Sequence, residues 1–561
     1  MTLSRVVRRT VTATAVAACA AGLFLAGTGT AQAAAEERGK DPSTAQSHPG
    51  VPERVRHRPV PPAAGGAGPT AGAAGATAAT SGGTTTGATA DPAGGLTPAS
   101  PRPAPGALRL LNYYPADDPW TGMWTNYSHA RTDTDFADIA SLGANAVRVI
   151  VQPGAVGWPT VGAAGAAALA DMVDTAAAHG LYVQLTLFDL WSAYSDITRS
   201  RAWAQQLLHP YRADGRIALV ELQNEMPTTD TALAWAKALL PELGALLPGV
   251  PRSVSEYTAA ALQAVTAAIP DSSLDVVDVH LYGAVENLPR LLQTATGVAR
   301  GRPVVVGEAG TPTVGGTTGA EQAQLSYYQT VAQLVADQGI PTFAPWILSD
   351  YVPDRTPSAF RTPTQVSYGL RRLDGSWKPA AAVVRDMFAG AGTLGYGPGE
   401  LAASRISYDG DFENEDAAAS SSGLLGSWRT FDASAAGSIG VDAGGGVDGS
   451  ASAVLDLTGG SSSAVPAVYQ SFLLLSGKRT VTASASVRLV APTGFSRIAI
   501  AWFDGGTYLG STESVNARNT VAGWQTVAAT GTAPATATAF QIHLKSAYNS
   551  GEAYFDAVRL G

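Results

Sequence analysis

The sequence predicts an α/β protein: a (β/α)8 TIM barrel followed by an all-β sandwich, both behind a disordered N-terminal linker. Three features predict this. Between residues 107 and 398, short β-branched runs alternate with helix-length segments, the pattern of a parallel sheet covered by helices. From residue 404 to 561, helical periodicity gives way to alternating runs such as Thr480–Leu489 and Ser496–Phe503, broken by Gly, Asp, Asn and Ser. From Pro61 to Ser100 the chain is almost only Ala, Gly, Thr, Ser and Pro, with Asp91 its single charge. Such a segment buries too little apolar surface to offset its ordering entropy.

The barrel strands expected are Leu108–Tyr113, Ala146–Val151, Tyr182–Phe188, Ile217–Leu222, Arg252–Ser255, Val276–Leu281, Val304–Gly307 and Thr342–Leu348. Helices are expected over Asp135–Leu142, Ala166–Ala178, Thr231–Leu247 and Glu321–Asp337, with Lys378–Phe388 closing the barrel. A doubly wound sheet is the rival, but no phosphate-binding Gly fingerprint follows the first strand.

The N-terminus has the form of a secretory signal. Arg5, Arg8 and Arg9 precede an apolar run from Val11 to Ala26, and Ala31-Gln32-Ala33 is a small-x-small cleavage site. Residues 1–33 are therefore expected to be removed and the protein secreted, with 34–106 left as the linker. The run is short for a membrane span and is broken by Gly and Thr. The only cysteine, Cys19, lies within it, so the mature chain would carry no disulfide. Val16-Ala17-Ala18-Cys19 resembles a lipobox, but apolar sequence continues beyond it to Leu25 and Ala26, which favours secretion over a lipid anchor. The net charge of −9, with 14% charged residues, argues against nucleic acid and is compatible with a neutral polymer such as a polysaccharide. No membrane partner is expected beyond the signal, and a monomer is the expected state.

Active sites of such barrels lie at the C-terminal ends of the strands. Strand four reads Ile217-Ala-Leu-Val-Glu-Leu-Gln223-Asn224-Glu225, and strand seven reads Pro303-Val-Val-Val-Gly307-Glu308. Each delivers a carboxylate to the barrel mouth, three βα units apart. Two converging carboxyl groups suit glycosidic cleavage, where one donates a proton to the leaving oxygen and the other, ionised, attacks or supports the anomeric carbon. The few His residues form no metal-binding signature, and no cofactor is expected for catalysis.

These residues carry a resemblance to clan A glycoside hydrolases, most like the cellulase-type family 5. The clan has an Asn-Glu pair after strand four and a Glu nucleophile after strand seven. Asn224, Glu225 and Glu308 match residue for residue. The resemblance implies Glu225 as acid/base, Glu308 as nucleophile and Asn224 on the sugar 2-hydroxyl. It implies His280 and Tyr282 beside the nucleophile, Arg148 supporting it, and Trp346 as a stacking platform. Where the family often ends strand three in His, this chain has Asp189-Leu190-Trp191, so Asp189 and Trp191 become subsite candidates. Trp120 and Trp124 are further aromatic candidates. The activity implied is retaining cleavage of a β-linked glycan of β-glucan, cellulose or mannan type by double displacement. A non-catalytic carbohydrate- or cell-wall-binding protein and a transglycosylase are the alternatives.

The C-terminal region opens on Asp409-Gly-Asp-Phe412-Glu413 and closes on Tyr554-Phe555-Asp556. It resembles jelly-roll carbohydrate-binding modules of the family 4/9/22 kind, with Trp428, Gln470, Trp502 and Trp524 in matching places. In such modules residues in the places of Glu413 and Asp556 often hold a structural Ca2+. Trp502 and Tyr508 are the candidates for sugar contact there.

Overall fold

The computed structural model describes residues 95–390, 410, 412, 424–425, 428–431, 438–458, 465–474, 479–518 and 523–560. The signal at 1–33, most of the linker and Glu413 lie outside the described residues.

The barrel strands are β1 (Leu110–Tyr113), β2 (Ala146–Ile150), β3 (Tyr182–Thr186), β4 (Ile217–Glu221), β5 (Arg252–Ser253), β6 (Ser255–Glu256), β7 (Val277–Leu281), β8 (Val304–Ala309) and β9 (Phe343–Pro345). All pair in parallel, in the orders β1-β2-β3-β4-β5 and β6-β7-β8-β9. The fifth barrel position is divided at Val254, where one strand was expected. Closure between the first and last positions uses side chains: Thr342 Oγ1 donates to Leu108 O (2.9 Å) and Asn112 Nδ2 to Pro345 O (3.1 Å).

The covering helices are α1 (His129–Ser141), α2 (Ala163–Ala178), α3 (Ile197–Leu208), α4 (Asp230–Leu246), α5 (Ala259–Ala268), α6 (Leu288–Ala299), α7 (Thr318–Asp337) and α8 (Ala380–Phe388). Side-chain oxygens of Ser128, Asp196, Thr229, Thr258 and Thr317 cap five of them, accepting from amides that no helical carbonyl can reach. Helix α4 buries Ala232, Trp235, Ala236, Leu239, Leu240 and Leu243, a single stripe at helical spacing.

The barrel interior has two layers. Leu108, Leu110, Ala146, Leu219, Val276, Val305 and Ala344 form a small apolar cluster of their own. Further along the strands the buried residues turn polar: Asn112, Arg148, Gln184, Thr186, Glu221 and Asp278. The chain before β1 is tied to the barrel too. Arg102 donates from Nε to Ile217 O (2.6 Å), and Tyr182 OH donates to Pro101 O (2.8 Å). Residues 95–106, read from the sequence as the end of the linker, are thus held by backbone carbonyls, which residue composition does not reveal.

The sandwich is antiparallel throughout. The strands used below are β11 (Trp428–Phe431), β14 (Ala467–Leu473), β16 (Phe495–Asp504) and β19 (Ala539–Ala547). The further strands are β10 (Leu424–Leu425), β12 (Ser438–Asp442), β13 (Ser452–Asp456), β15 (Thr480–Val490), β17 (Thr507–Glu513), β18 (Gln525–Thr532) and β20 (Glu552–Leu560). They are arranged in two sheets, one in the order β10-β11-β14-β19-β16-β17 and the other β12-β13-β20-β15-β18. Trp428 stacks on Phe412 (5.2 Å), and Trp502 packs on Phe540 (6.0 Å) with its Nε1 donating to Thr512 Oγ1 (3.3 Å). Trp502, at 3% exposure, is a core residue and not the sugar contact expected of it. Asp556 is buried and accepts from the backbone amides of Val447 (2.8 Å) and Ala557. Its partner in the calcium expectation, Glu413, lies outside the described residues.

Trp235 is fully buried against Phe188 (5.1 Å) and donates to Ser200 Oγ (3.0 Å). Trp235→Ala should lower unfolding free energy by about 3–5 kcal/mol, read from the urea midpoint at unchanged slope.

Candidate active site

Arg148 on β2 organises the mouth of the barrel. Its Nε donates to Thr186 Oγ1 (2.8 Å) and Glu221 (2.9 Å), and its Nη1 to Asn112 Oδ1 (2.9 Å) and Glu308. Its Nη2 donates to Asn224 Oδ1 (2.7 Å). No part of its side chain is exposed. Asn224 has committed its carbonyl oxygen here, which leaves its amide nitrogen to donate to a ligand.

Glu308 is held on its other oxygen by Tyr282 OH (2.5 Å). Burial raises its pKa above the usual carboxylate value, against His280, Arg148 and the Tyr282 hydrogen bond, which pull it down. The glycine before it has a steric reason: a Cβ on Gly307 would lie 2.2 Å from Asp278 Oδ1.

Glu225 sits differently. Its backbone is in the left-handed region (φ 43°), with its amide donating to Ser255 Oγ (3.0 Å). Its carboxyl oxygen is 2.9 Å from His280 Nδ1. Burial pushes its pKa up to about 7; Arg148 opposes this and Glu221 adds to it. Its side chain keeps 26% of its surface open, so a ligand can reach it. Burial lowers the His280 pKa to about 4, so the ring is neutral near pH 7. It can accept from a protonated Glu225 or donate to an ionised one. Ligand-type atoms of Glu225, His280 and Glu308 all lie within 4.8 Å of one another.

The other sequence candidates divide. Trp346 follows β9, is 9% exposed and meets Tyr114 edge-on at 6.1 Å. Asp189 accepts from Gln152 Nε2 (2.9 Å), and its burial raises its pKa to about 6. Trp191 is half-buried against Trp158 at 4.2 Å. Trp120 and Trp124 serve packing: the first stacks on Phe360 (4.3 Å), and the second donates to Ile150 O (3.1 Å).

Glu221, Asp278 and Gln152 belong to the cluster but were not singled out from the sequence. A signal existed for two of them. Glu221 and Asp278 are charged residues inside otherwise apolar barrel strands, where a charge survives only with a partner. Asp278, buried and repelled by Glu221, has a pKa well above the carboxylate range, whereas Arg148 overcomes burial and lowers that of Glu221.

Residues 111–351 match the family model described as Cellulase (glycosyl hydrolase family 5). This match over the barrel supports a glycoside hydrolase. Among curated proteins none matches. Similar solved structures include the exo-β-1,4-mannosidase Op5Man5 from Opitutaceae bacterium strain TAV5, at 19% identity and TM-score 0.44, covering 50% of this chain. This chain spans 59% of that protein's length. A GH5_18 protein from Streptomyces cattleya in complex with GlcNAc matches at 19% identity and TM-score 0.43, over 52% of this chain and 80% of that one. The endo-1,4-β-D-mannanase from Thermotoga petrophila RKU-1 matches at 17% identity and TM-score 0.39, over 50% of this chain and 99% of that one.

The Tyr282 hydrogen bond favours the ionised form of Glu308. Tyr282→Phe should lower kcat by about 10- to 100-fold, the worth of one charge-assisted hydrogen bond. The acid limb of its pH–rate profile should move to higher pH, because the carboxylate has lost a stabilising donor. Steady-state kinetics across pH on the best glycoside tests both.

Proposed function

We propose that the protein is a retaining hydrolase of a β-linked polysaccharide or oligosaccharide, of β-glucan or mannan type, acting through Glu225 and Glu308. The observation that carries the reading is the approach of their carboxyl oxygens, which lie within 4.8 Å with His280 between them. Retention by double displacement needs carboxyl groups about 5–5.5 Å apart, and inversion needs about 6.5–9.5 Å to admit a water.

Glu308, ionised and aimed by Arg148 and Tyr282, attacks the anomeric carbon and forms a glycosyl-enzyme. Glu225, its pKa held near 7 by burial, gives its proton to the leaving oxygen. As the resulting carboxylate it then takes a proton from the water that attacks the same carbon, and Glu308 departs. The Asn224 amide serves the sugar 2-hydroxyl. Trp346 lines the ring site, and Asp189 and Trp191 lie towards β3. No cofactor enters this chemistry. Export through the signal at 1–33 completes the reading, since a polysaccharide substrate is extracellular.

A panel of β-glucans, mannans, xylans and aryl β-glycosides tests the function. Cleavage of at least one is expected, with the first product keeping the substrate's anomeric configuration by early-time NMR. If no member is cleaved, or if Glu308→Gln retains wild-type activity on the best one, the reading fails.

Glu225 must be protonated to act as the acid, so its function is present below its pKa and lost as pH rises through about 7. The alkaline limb of kcat/KM should fall there. Glu225→Gln should abolish that limb and retain kcat/KM on a dinitrophenyl glycoside, whose leaving group needs no proton, while kcat falls because the second step has lost its base.

A further inference from the structure

The central strands β14, β16 and β19 of the six-stranded sheet are buried on both faces over most of their length. In β16, Ile498, Ile500 and Trp502 point into the sandwich core, while Ala501 and Phe503 on the opposite face join the apolar core of the barrel. Leu473 of β14 and Ala539 of β19 join the barrel core in the same way. Against β14, β16 and β19 packs the 3-10 turn Val285–Asn287, which leads into α6.

That contact is polar as well as apolar. Gln541 Nε2 of β19 donates to Glu286 Oε1 at 2.6 Å, and both side chains are almost fully buried. Gln541 Oε1 is 2.7 Å from His543 Nε2, and His543 stacks on Tyr469 at 4.9 Å. The turn after β16 approaches the same barrel segment closely: a Cβ on Gly506 would lie 1.9 Å from Asn287 Oδ1, and one on Gly505 2.3 Å from Arg290 Cβ.

The clamped turn begins three residues after Tyr282, the residue that donates to Glu308. The sandwich reaches the same place by a second route. Arg429 of β11 lies close enough to Tyr327 and Tyr368 to oppose the rise that burial gives their phenols. Tyr327 OH donates to Leu281 O (2.9 Å), and Tyr368 meets the Tyr282 ring edge-on at 6.0 Å.

We propose that the C-terminal sandwich is a positioning element of the barrel's active site, with the Gln541–Glu286 pair fixing the loop that holds Tyr282 against Glu308. This rests on the hydrolase reading above. The sheet face that docks on the barrel is closed to sugar, and Gln541 and Glu286 act through Tyr282 without touching substrate.

The test uses the full chain. Gln541→Ala removes the donor, and Gly506→Ser wedges the adjoining contact with Asn287 of the same turn while leaving Gln541 in place. Each should lower kcat about tenfold, with KM within about twofold, because an ångström-scale misplacement acts on the transition state more than on binding. Each should also shift the acid limb upward in pH, in the direction of Tyr282→Phe. Hydrogen exchange of amides 281–290 should quicken in both, independently of activity. Wild-type kcat, acid limb and exchange in a folded variant would overturn the proposal. If wild type cleaves no glycoside but exchange at 281–290 quickens, the brace stands and the hydrolase reading is what fails.

Discussion

A buried guanidinium needs carboxylates, and the site is arranged around that requirement. Removing Arg148 entirely from water is tolerable only if its charge and its N–H groups are matched inside the protein. Glu221 and Glu308 supply the charge, and Asn112, Thr186 and Asn224 take further hydrogen bonds. Because one cation faces three carboxyl groups, they do not share the same state. Glu221, in direct contact, is held ionised, while Asp278, without such contact, is driven towards its neutral form. The same guanidinium draws together residues from β1, β2, β3, β4 and β8, so that one side chain sets the relative placement of groups far apart in sequence.

Glu225 and Glu308 show how a single residue type receives two environments. Glu308 is nearly enclosed, with Arg148 on one oxygen and Tyr282 on the other, both of which favour the carboxylate. Burial raises both pKa values, but among the described residues the side-chain hydrogen-bond partner of Glu225 is His280, neutral near pH 7, so less opposes burial there and the acid form is favoured. The separation of acid from nucleophile in the proposed mechanism is therefore a difference in partners, and it needs no difference in the residues themselves.

The sandwich changes meaning once its packing is considered. Its sheets alternate as any sandwich does, but the second face of the six-stranded sheet carries Ala, Leu and Phe where a free module would present polar or sugar-stacking groups. Glycine at 505 and 506 lets the turn after β16 approach Asn287 and Arg290 at distances that no other residue would permit. These features describe a surface shaped for the barrel.

The periodicity of the sequence alone determined the barrel and sandwich classes, since alternation of strand-length and helix-length runs is a local property of the chain. It also placed Asn224, Glu225 and Glu308 at strand ends, because a polar residue that closes an apolar run must emerge at the barrel mouth. What the sequence could not determine was which polar residues share a partner. Glu221 and Asp278 carry no local mark of their opposite protonation preferences, Trp502 reads as a platform until its neighbours are known, and the division of the fifth barrel position leaves no trace in composition. Gln541 and Glu286 are 255 residues apart, and their contact exists only because the sandwich meets the barrel. Charge pairing and domain docking act through space, so they were decided by the tertiary structure.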